Sequence, residues 1–322
     1  MKKTAVSTSP KKPAAAPGTP PTLAMVAREA GVSMATVSRI INGTARVSAE
    51  RKVAVDAAIA KYNFRPNPAA RGLAMGKSTT IGVVTQAIDS PFYGEGLRGI
   101  EHYLQQHGYA ALFMSGNWNE EDEARCMSEL LARRVDGVIM FSGRLSDKAL
   151  AEYARKVPIV VSGRRLKAPQ LVSLPIEDRR GATLATQHLI ELGHRSIGFI
   201  AGIADHPDAT ERQLGYRQAL KEAGIAFDPR LVVGADFHEV GGMEATERLL
   251  ASKRKFTALF CVNDQTAYGA CLALHRHGLK VPQDVSIVGF DDLPSSTYRV
   301  PPLTTVRTSI GVLGQRSAAV ML

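Results

Sequence analysis

Residues 22–39 read Thr22-Leu23-Ala24-Met25-Val26-Ala27-Arg28-Glu29-Ala30-Gly31-Val32-Ser33-Met34-Ala35-Thr36-Val37-Ser38-Arg39, and this run sets the architecture of the N-terminal part of the chain. Leu23, Val26, Ala27 and Ala30 recur at helical spacing and predict an amphipathic helix, which Gly31 ends because glycine takes positive φ freely. Ser33 is an N-cap residue and predicts a second helix over 34–42, with Val37, Ile40 and Ile41 turned toward the first. Two short helices joined by a glycine-containing turn form a helix-turn-helix unit. After Asn42-Gly43, Ser48 caps a third helix, and Val53, Ala57, Ile59 and Ala60 are expected to close a three-helix core.

Charge is concentrated in the same region. The 322-residue chain has a net charge of +10, and residues 1–77 carry all of it, with 13 Lys or Arg against three acids. The rest of the chain balances to zero. A basic head on a neutral body is the footprint of a polyanion-binding module attached to a part that need not touch the polyanion. Residues 1–21, rich in Pro, Ala, Thr, Ser and Lys, have no hydrophobic period and read as a disordered basic arm.

The texture changes after residue 78. Short β-rich runs at 81–85, 110–114, 137–141, 159–161, 196–200, 258–262 and 285–288 alternate with helical stretches. That alternation predicts βαβ units with parallel sheets and right-handed crossovers, and two such series meeting near 162–180 predict two similar lobes. No stretch reaches the ~18–20 apolar residues of a membrane span, and Lys2-Lys3 is followed by no apolar signal core, so a cytoplasmic location is expected. The three cysteines form no CxxC pair, and the eight histidines form no metal-ligand pattern, so no metal and no cofactor are expected.

Longer motifs carry a family resemblance. The run 22–39, then Tyr62-Asn63-Phe64-Arg65-Pro66-Asn67 with Ala70-Arg71-Gly72-Leu73, Asp89-Ser90-Pro91-Phe92-Tyr93, His188-Leu189-Ile190-Glu191-Leu192-Gly193-His194-Arg195, Val262-Asn263-Asp264-Gln265, Val281-Pro282-Gln283-Asp284-Val285-Ser286-Ile287-Val288-Gly289-Phe290-Asp291-Asp292 and Pro302-Leu303-Thr304-Thr305-Val306 resemble the LacI/GalR repressors. Within that family, Glu177-Asp178-Arg179-Arg180-Gly181-Ala182 is most similar to galactose-type repressors. The resemblance implies a small all-α helix-turn-helix head plus an α/β periplasmic-binding-protein-like module of two parallel-sheet lobes. The expected layout is an arm 1–21, a DNA-binding domain 22–67, a hinge helix and linker 68–77, and an effector-binding and dimerisation domain 78–322. Two departures stand out. Met25 occupies a position that is usually acidic, so Thr22 caps without a capping-box partner. The chain also stops inside its last helix where the family continues to a further strand, which implies either a shortened copy or a second lobe with an uncovered edge.

The implied function is a transcriptional repressor of carbohydrate-utilisation genes that binds operator DNA as a homodimer and answers to a small sugar. A purine- or nucleoside-responsive repressor is the alternative. By resemblance, Met34, Ala35 and Arg39 read bases, with Arg39 able to present two donors to guanine, while Ser33, Thr36, Ser38 and Asn42 serve as caps or phosphate contacts. Leu73 is the expected minor-groove wedge of the hinge. A hexose offers flat C–H faces and pairs of hydroxyls; the implied ligand residues are Phe92 and Tyr93 for stacking and Arg212, Asn263 and Asp291 for hydrogen bonds, with Asp89 and Phe237 beside them.

One rival motif, Gly94-Glu95-Gly96-Leu97-Arg98-Gly99, fits the dinucleotide fingerprint of an NAD-dependent enzyme. Its first glycine lies several residues past the end of the strand, where a pyrophosphate could not be cradled. Close helix packing is the better reading of these glycines.

Overall fold

A computed structural model describes residues 21–43, 47–65, 77–141 and 143–322, and the chain divides into two units, one up to Ser78 and one from Thr79. The arm up to residue 20 and the expected hinge 68–74 with Leu73 lie outside the described residues.

The head contains α1 (Leu23–Glu29), α2 (Met34–Ile41) and α3 (Ala49–Tyr62). The Thr22 hydroxyl accepts from Met25 N, the Ser33 hydroxyl accepts from Thr36 N, and Gly31 adopts φ +65°, as the cap and turn signals predict. Val26, Ala27, Val37, Val55, Ala58 and Phe64 form the core. The expected phase of α3 was wrong: Ala57 and Ala60 are exposed and Val53 is 68% exposed, while Val55, Ala58, Ile59 and Tyr62 face inward. Small apolar residues stand on every face of this helix, so composition could not fix its rotation, whereas the 55, 58, 59, 62 spacing supplies the buried stripe.

The second unit is two five-stranded parallel sheets. The first lobe holds β1 (Thr80–Thr85), α4 (Pro91–Gln106), β2 (Ala110–Ser115), α5 (Glu120–Ala132), β3 (Gly137–Phe141), α6 (Asp147–Ala154), β4 (Ile159–Ser162) and β5 (Leu171–Leu174). The second holds α7 (Asp178–Glu191), β6 (Ile197–Ala201), α8 (Pro207–Glu222), β7 (Val232–Gly234), α9 (Glu239–Ala251), β8 (Ala258–Cys261), α10 (Asp264–Arg276), β9 (Ser286–Asp291) and β10 (Thr304–Arg307). Strand order is β2-β1-β3-β4-β5 in one sheet and β7-β6-β8-β9-β10 in the other, the same doubly wound pattern twice. Each sheet is apolar on both faces because helices cover both. In the first lobe α5 and α6 close over Val84, Val138 and Met140, while α4 covers Ile81, Val83 and Ile139 from the other side. In the second, Phe199 and Phe260 face α7 and α8, and Ile200 and Leu259 face α9 and α10.

The last helix, α11 (Ile310–Met321), follows the second lobe in sequence but packs on the first, with Ile310 and Ala318 in the core beneath α4. The contact is backbone to backbone. A Cβ on Gly99 would stand 2.1 Å from Gly311 O, and one on Gly314 would stand 2.1 Å from Gly96 O. Gly96 and Gly99 of the rival fingerprint therefore face a helix.

Candidate functional site

On α2 the side chains of Ser33 and Thr36 are taken up with each other, their hydroxyls 2.9 Å apart, and Asn42 Nδ2 donates to Ser38 Oγ at 3.4 Å. Met34, Ala35 and Arg39 are exposed, Met34 by 55%. The second helix of the head thus offers one cation flanked by apolar groups on its outer face. That combination can read a guanine edge and contact thymine methyls.

The larger site is a cavity of about 110 Å³ between the two lobes. Its walls come from the chain just past β1 and β6, and from the start of α10 after β8. Those strand ends border the point in each sheet where the order reverses, which is where open α/β sheets bind ligands. Phe92, Tyr93, Arg212, Phe237, Asn263 and Asp291 all line it, whereas Asp89 is exposed and does not.

Aromatic rings span the gap. Phe92 and Tyr93 meet edge to face at 5.3 Å, and Tyr93 rests on Phe141. Trp118 reaches in from the loop after β2, where Asn117 and Trp118 both sit at φ +53° and the Trp118 amide donates to Gln86 Oε1. Its ring lies 4.0 Å from that of His206 in the other lobe, and His206 lies 4.7 Å from Phe237. Gly202 makes room for Phe237, since a Cβ there would stand 2.5 Å from the ring.

Arg212 organises the polar wall and is 3% exposed. Its Nε donates to Asp178 Oδ1 at 2.8 Å, its Nη1 to Val262 O at 2.7 Å, and its guanidinium stacks on Phe290 at 3.8 Å. Asp291 Oδ1 lies 3.5 Å from Nη2 but accepts no hydrogen bond among the described residues. Asp291 and Asp292 have φ of +115° and +57°, so the chain turns sharply as it leaves β9. Such strain on non-glycine residues costs of order 1–3 kcal/mol and concentrates where a side chain must be aimed.

Asn263 is engaged at both ends of its amide, accepting from Thr266 N as the cap of α10 and donating one Nδ2 proton to Phe237 O. His206 caps α8, its Nδ1 accepting from Asp208 N at 3.2 Å. Burial, with Arg212 and Arg144 nearby, drives the His206 pKa down to about 3, so the ring is neutral at pH 7. Burial and the Asp178 charge push Asp208 up to about 7 against the pull of Arg212. Among the described residues no cluster of His, Cys, Asp or Glu is arranged to hold a metal ion. No helix among them is long and apolar enough to cross a membrane.

Residues 22–67 match the bacterial regulatory proteins of the lacI family, and residues 78–322 match the periplasmic binding proteins and sugar binding domain of the LacI family. The chain belongs to the LacI family. It is 37% identical to the HTH-type transcriptional regulator GalR of Escherichia coli K12, over 94% of this chain and 88% of that protein. It is 35% identical to the HTH-type transcriptional repressor PurR of Haemophilus influenzae PittEE, over 94% and 90%. Among solved structures, the lac repressor dimer bound to operator and the anti-inducer ONPF superposes with a TM-score of 0.85 at 30% identity, over 94% of this chain and 92% of that one. As a LacI-family member the protein is a DNA-binding transcription regulator, and the two-lobed fold expected from the resemblance is the one observed.

Trp118, His206 and Asp208 escaped the sequence reading of this LacI-family site. Each sits past the carboxyl end of a strand, on a loop or the first turn of a helix, where spacing carries no pattern. Two signals were there: Trp118 is the single tryptophan, and His206-Pro207-Asp208 has the proline of a helix start right after β6.

Proposed function

We propose that this LacI-family regulator represses carbohydrate-utilisation genes as a homodimer, and that a small sugar held between its lobes controls its operator binding. The cleft carries the reading: Phe92, Trp118 and Phe237 line the same cavity as the carboxyls of Asp208 and Asp291, the complement of a sugar's C–H faces and hydroxyls. A GalR relative at 37% identity supports it. We read the protein as a regulator and not as an enzyme, and place it in the cytoplasm with its DNA.

A ligand shifts an equilibrium only by its differential affinity for two states. Coupling of 1–3 kcal/mol, the usual range, changes operator affinity about 5- to 150-fold. The test is footprinting of the promoter beside its own gene, with and without candidate sugars. A two-fold-symmetric footprint that a sugar weakens is expected. Arg39→Ala should weaken it by about 1–3 kcal/mol while leaving binding to random DNA nearly unchanged. Equal affinity for promoter and random DNA at physiological salt would overturn the reading.

A further inference from the structure

Two side chains of the first lobe reach the loop 203–206 that leads into α8. The Trp118 ring packs on His206 at 4.0 Å, and Arg144 Nη1 donates to Asp205 O at 3.2 Å. Asp205 sits at φ +59°, and His206 N closes the turn on Ile203 O. The loop so held carries His206 and Asp208 into the cavity wall.

Trp118 and Arg144 lie on the loops past β2 and β3, and each is tied back to a buried side chain. Gln86 Oε1 accepts from the Trp118 amide at 3.0 Å, while its Nε2 donates to Phe141 O at 3.2 Å. Glu123, on α5 and fully buried, accepts from Arg144 N with both oxygens, at 2.8 and 2.9 Å, and from Leu145 N at 2.8 Å. Arg164 Nη1 holds the carbonyl end of the same loop, donating to Leu145 O at 2.7 Å. Two glycines make room for the buried pair. A Cβ on Gly116 would stand 2.5 Å from Glu123 Cγ, and one on Gly143 would stand 2.6 Å from Gln86 Nε2. Neither Gln86 nor Glu123 lines the cavity.

A buried carboxyl costs more to desolvate than an apolar group of the same volume, so packing alone does not call for a glutamate at 123. Its two oxygens supply a fixed backbone at 144–145, and with it a fixed origin for the Arg144 side chain.

We propose that Gln86 and Glu123 are positioning residues of an interlobe latch: Gln86 sets Trp118, Glu123 sets Arg144, and the two together hold the loop 203–206 of the second lobe. The latch favours the arrangement in which the lobes approach, whatever the cavity contains. A ligand that closes the lobes then acts on an equilibrium whose starting point these buried residues set, a consequence that rests on reading the cleft as the effector site.

Trp118 is the single tryptophan, so the full chain without ligand reports on its own latch. Fluorescence lifetimes, taken well below the melting temperature, count stacked and unstacked rings by their amplitudes. Arg144→Met keeps the stem of an exposed side chain and removes its donors. It should lower the stacked-to-unstacked ratio roughly 2- to 12-fold, the worth of one hydrogen bond, and leave the melting temperature unchanged. Gln86→Met should lower the ratio as well. Glu123→Gln should lower it by the same factor as Arg144→Met, and the double variant by no more than either, because both act through one contact. Should Gln at 123 disturb folding, Glu123→Asp, which shortens the reach to 144, takes its place. An unchanged ratio in Arg144→Met overturns the proposal, as do factors for positions 123 and 144 that multiply in the double variant. So does a Glu123 variant that melts lower with its Trp118 lifetimes unmoved, the mark of a carboxyl that only supports the fold. With no ligand added, failure here leaves the effector reading standing, and footprinting tests that reading separately.

Discussion

The Trp118 indole and the His206 imidazole pack with ring centroids 4.0 Å apart although they come from different lobes. An aromatic pair of this kind contributes about 0.5–1.5 kcal/mol beyond its buried area. Here it belongs to the arrangement in which the lobes approach, so it biases an equilibrium between open and closed forms. Trp118→Ala should lower effector affinity about tenfold or more through the lost stacking surface, and small-angle scattering of the ligand-free variant should show a larger radius of gyration. An unchanged affinity would mean that the Trp118 ring does not touch the effector.

Arg212 and Asp291 differ sharply in what their removal should do. Arg212→Ala would leave Asp178 and Asp291 buried without a counter-charge, and breaking a buried pair this way costs about 3–5 kcal/mol. The second unit should therefore melt well below wild type. Asp291→Asn removes a carboxyl that accepts no hydrogen bond among the described residues, so stability should hold while sugar response is lost. Circular-dichroism melts of the two variants, set beside a ligand titration, check both halves.

His206 and Asp208 should give opposing dependences on pH. The folded His206 pKa of about 3 lies below its ordinary 6.5, so the unfolded chain binds the extra proton, and stability drops as pH falls from 6.5 toward 3. The folded Asp208 pKa of about 7 lies above its ordinary 3.8, so the folded chain binds the extra proton, and stability drops as pH rises from 3.8 to 7. Between about 4 and 6.5 the two slopes offset each other. Relative to wild type, Asp208→Asn should make the protein more acid-sensitive, and His206→Asn, which keeps a capping acceptor, should make it less so. Denaturant midpoints across that range, with parallel rather than opposite deviations, would refute the assignment.

The glycines of α4 divide into two kinds. A methyl at Gly99 would collide with Gly311 O, whereas one at Gly94 would meet nothing within 4 Å. Gly99→Ala should cost about 1–3 kcal/mol, the usual range for an overpacked contact, and Gly94→Ala should be neutral or slightly stabilising. Urea unfolding of the two variants separates a packing role from a phosphate-binding one, in which both would matter to a nucleotide and neither to folding.

How far sequence reached depended on burial. Strands such as Gly137–Phe141, buried along its whole length, announced themselves as apolar runs, and the boundaries found lie within a few residues of those expected. The strands that went unseen are β5, β7 and β10, three or four residues each at a sheet edge or beside it, where half-exposed positions such as Ser173 and Thr305 break the run. The same logic applies to the site. Resemblance carried Phe92, Arg212 and Asp291 to the cavity, but Asp89, two residues before α4, points elsewhere, and Trp118 meets His206 only because the fold brings together positions 88 residues apart in the chain. Nor could sequence show that Arg212, read as a free donor, is bound up with Asp178 and Val262.

The placement of α11 fixes an order of birth. A ribosome making this chain delivers the three helices of the head first and every described strand of both sheets by Arg307, and only after them Ile310, Ala318 and the Ser317 hydroxyl that bonds Ser162. Until then α4 has a bare glycine-lined groove where its partner belongs. The first lobe is thus finished only after every described strand of the second has been made, and the growing polypeptide must keep that groove free of other nascent or neighbouring chains until α11 emerges.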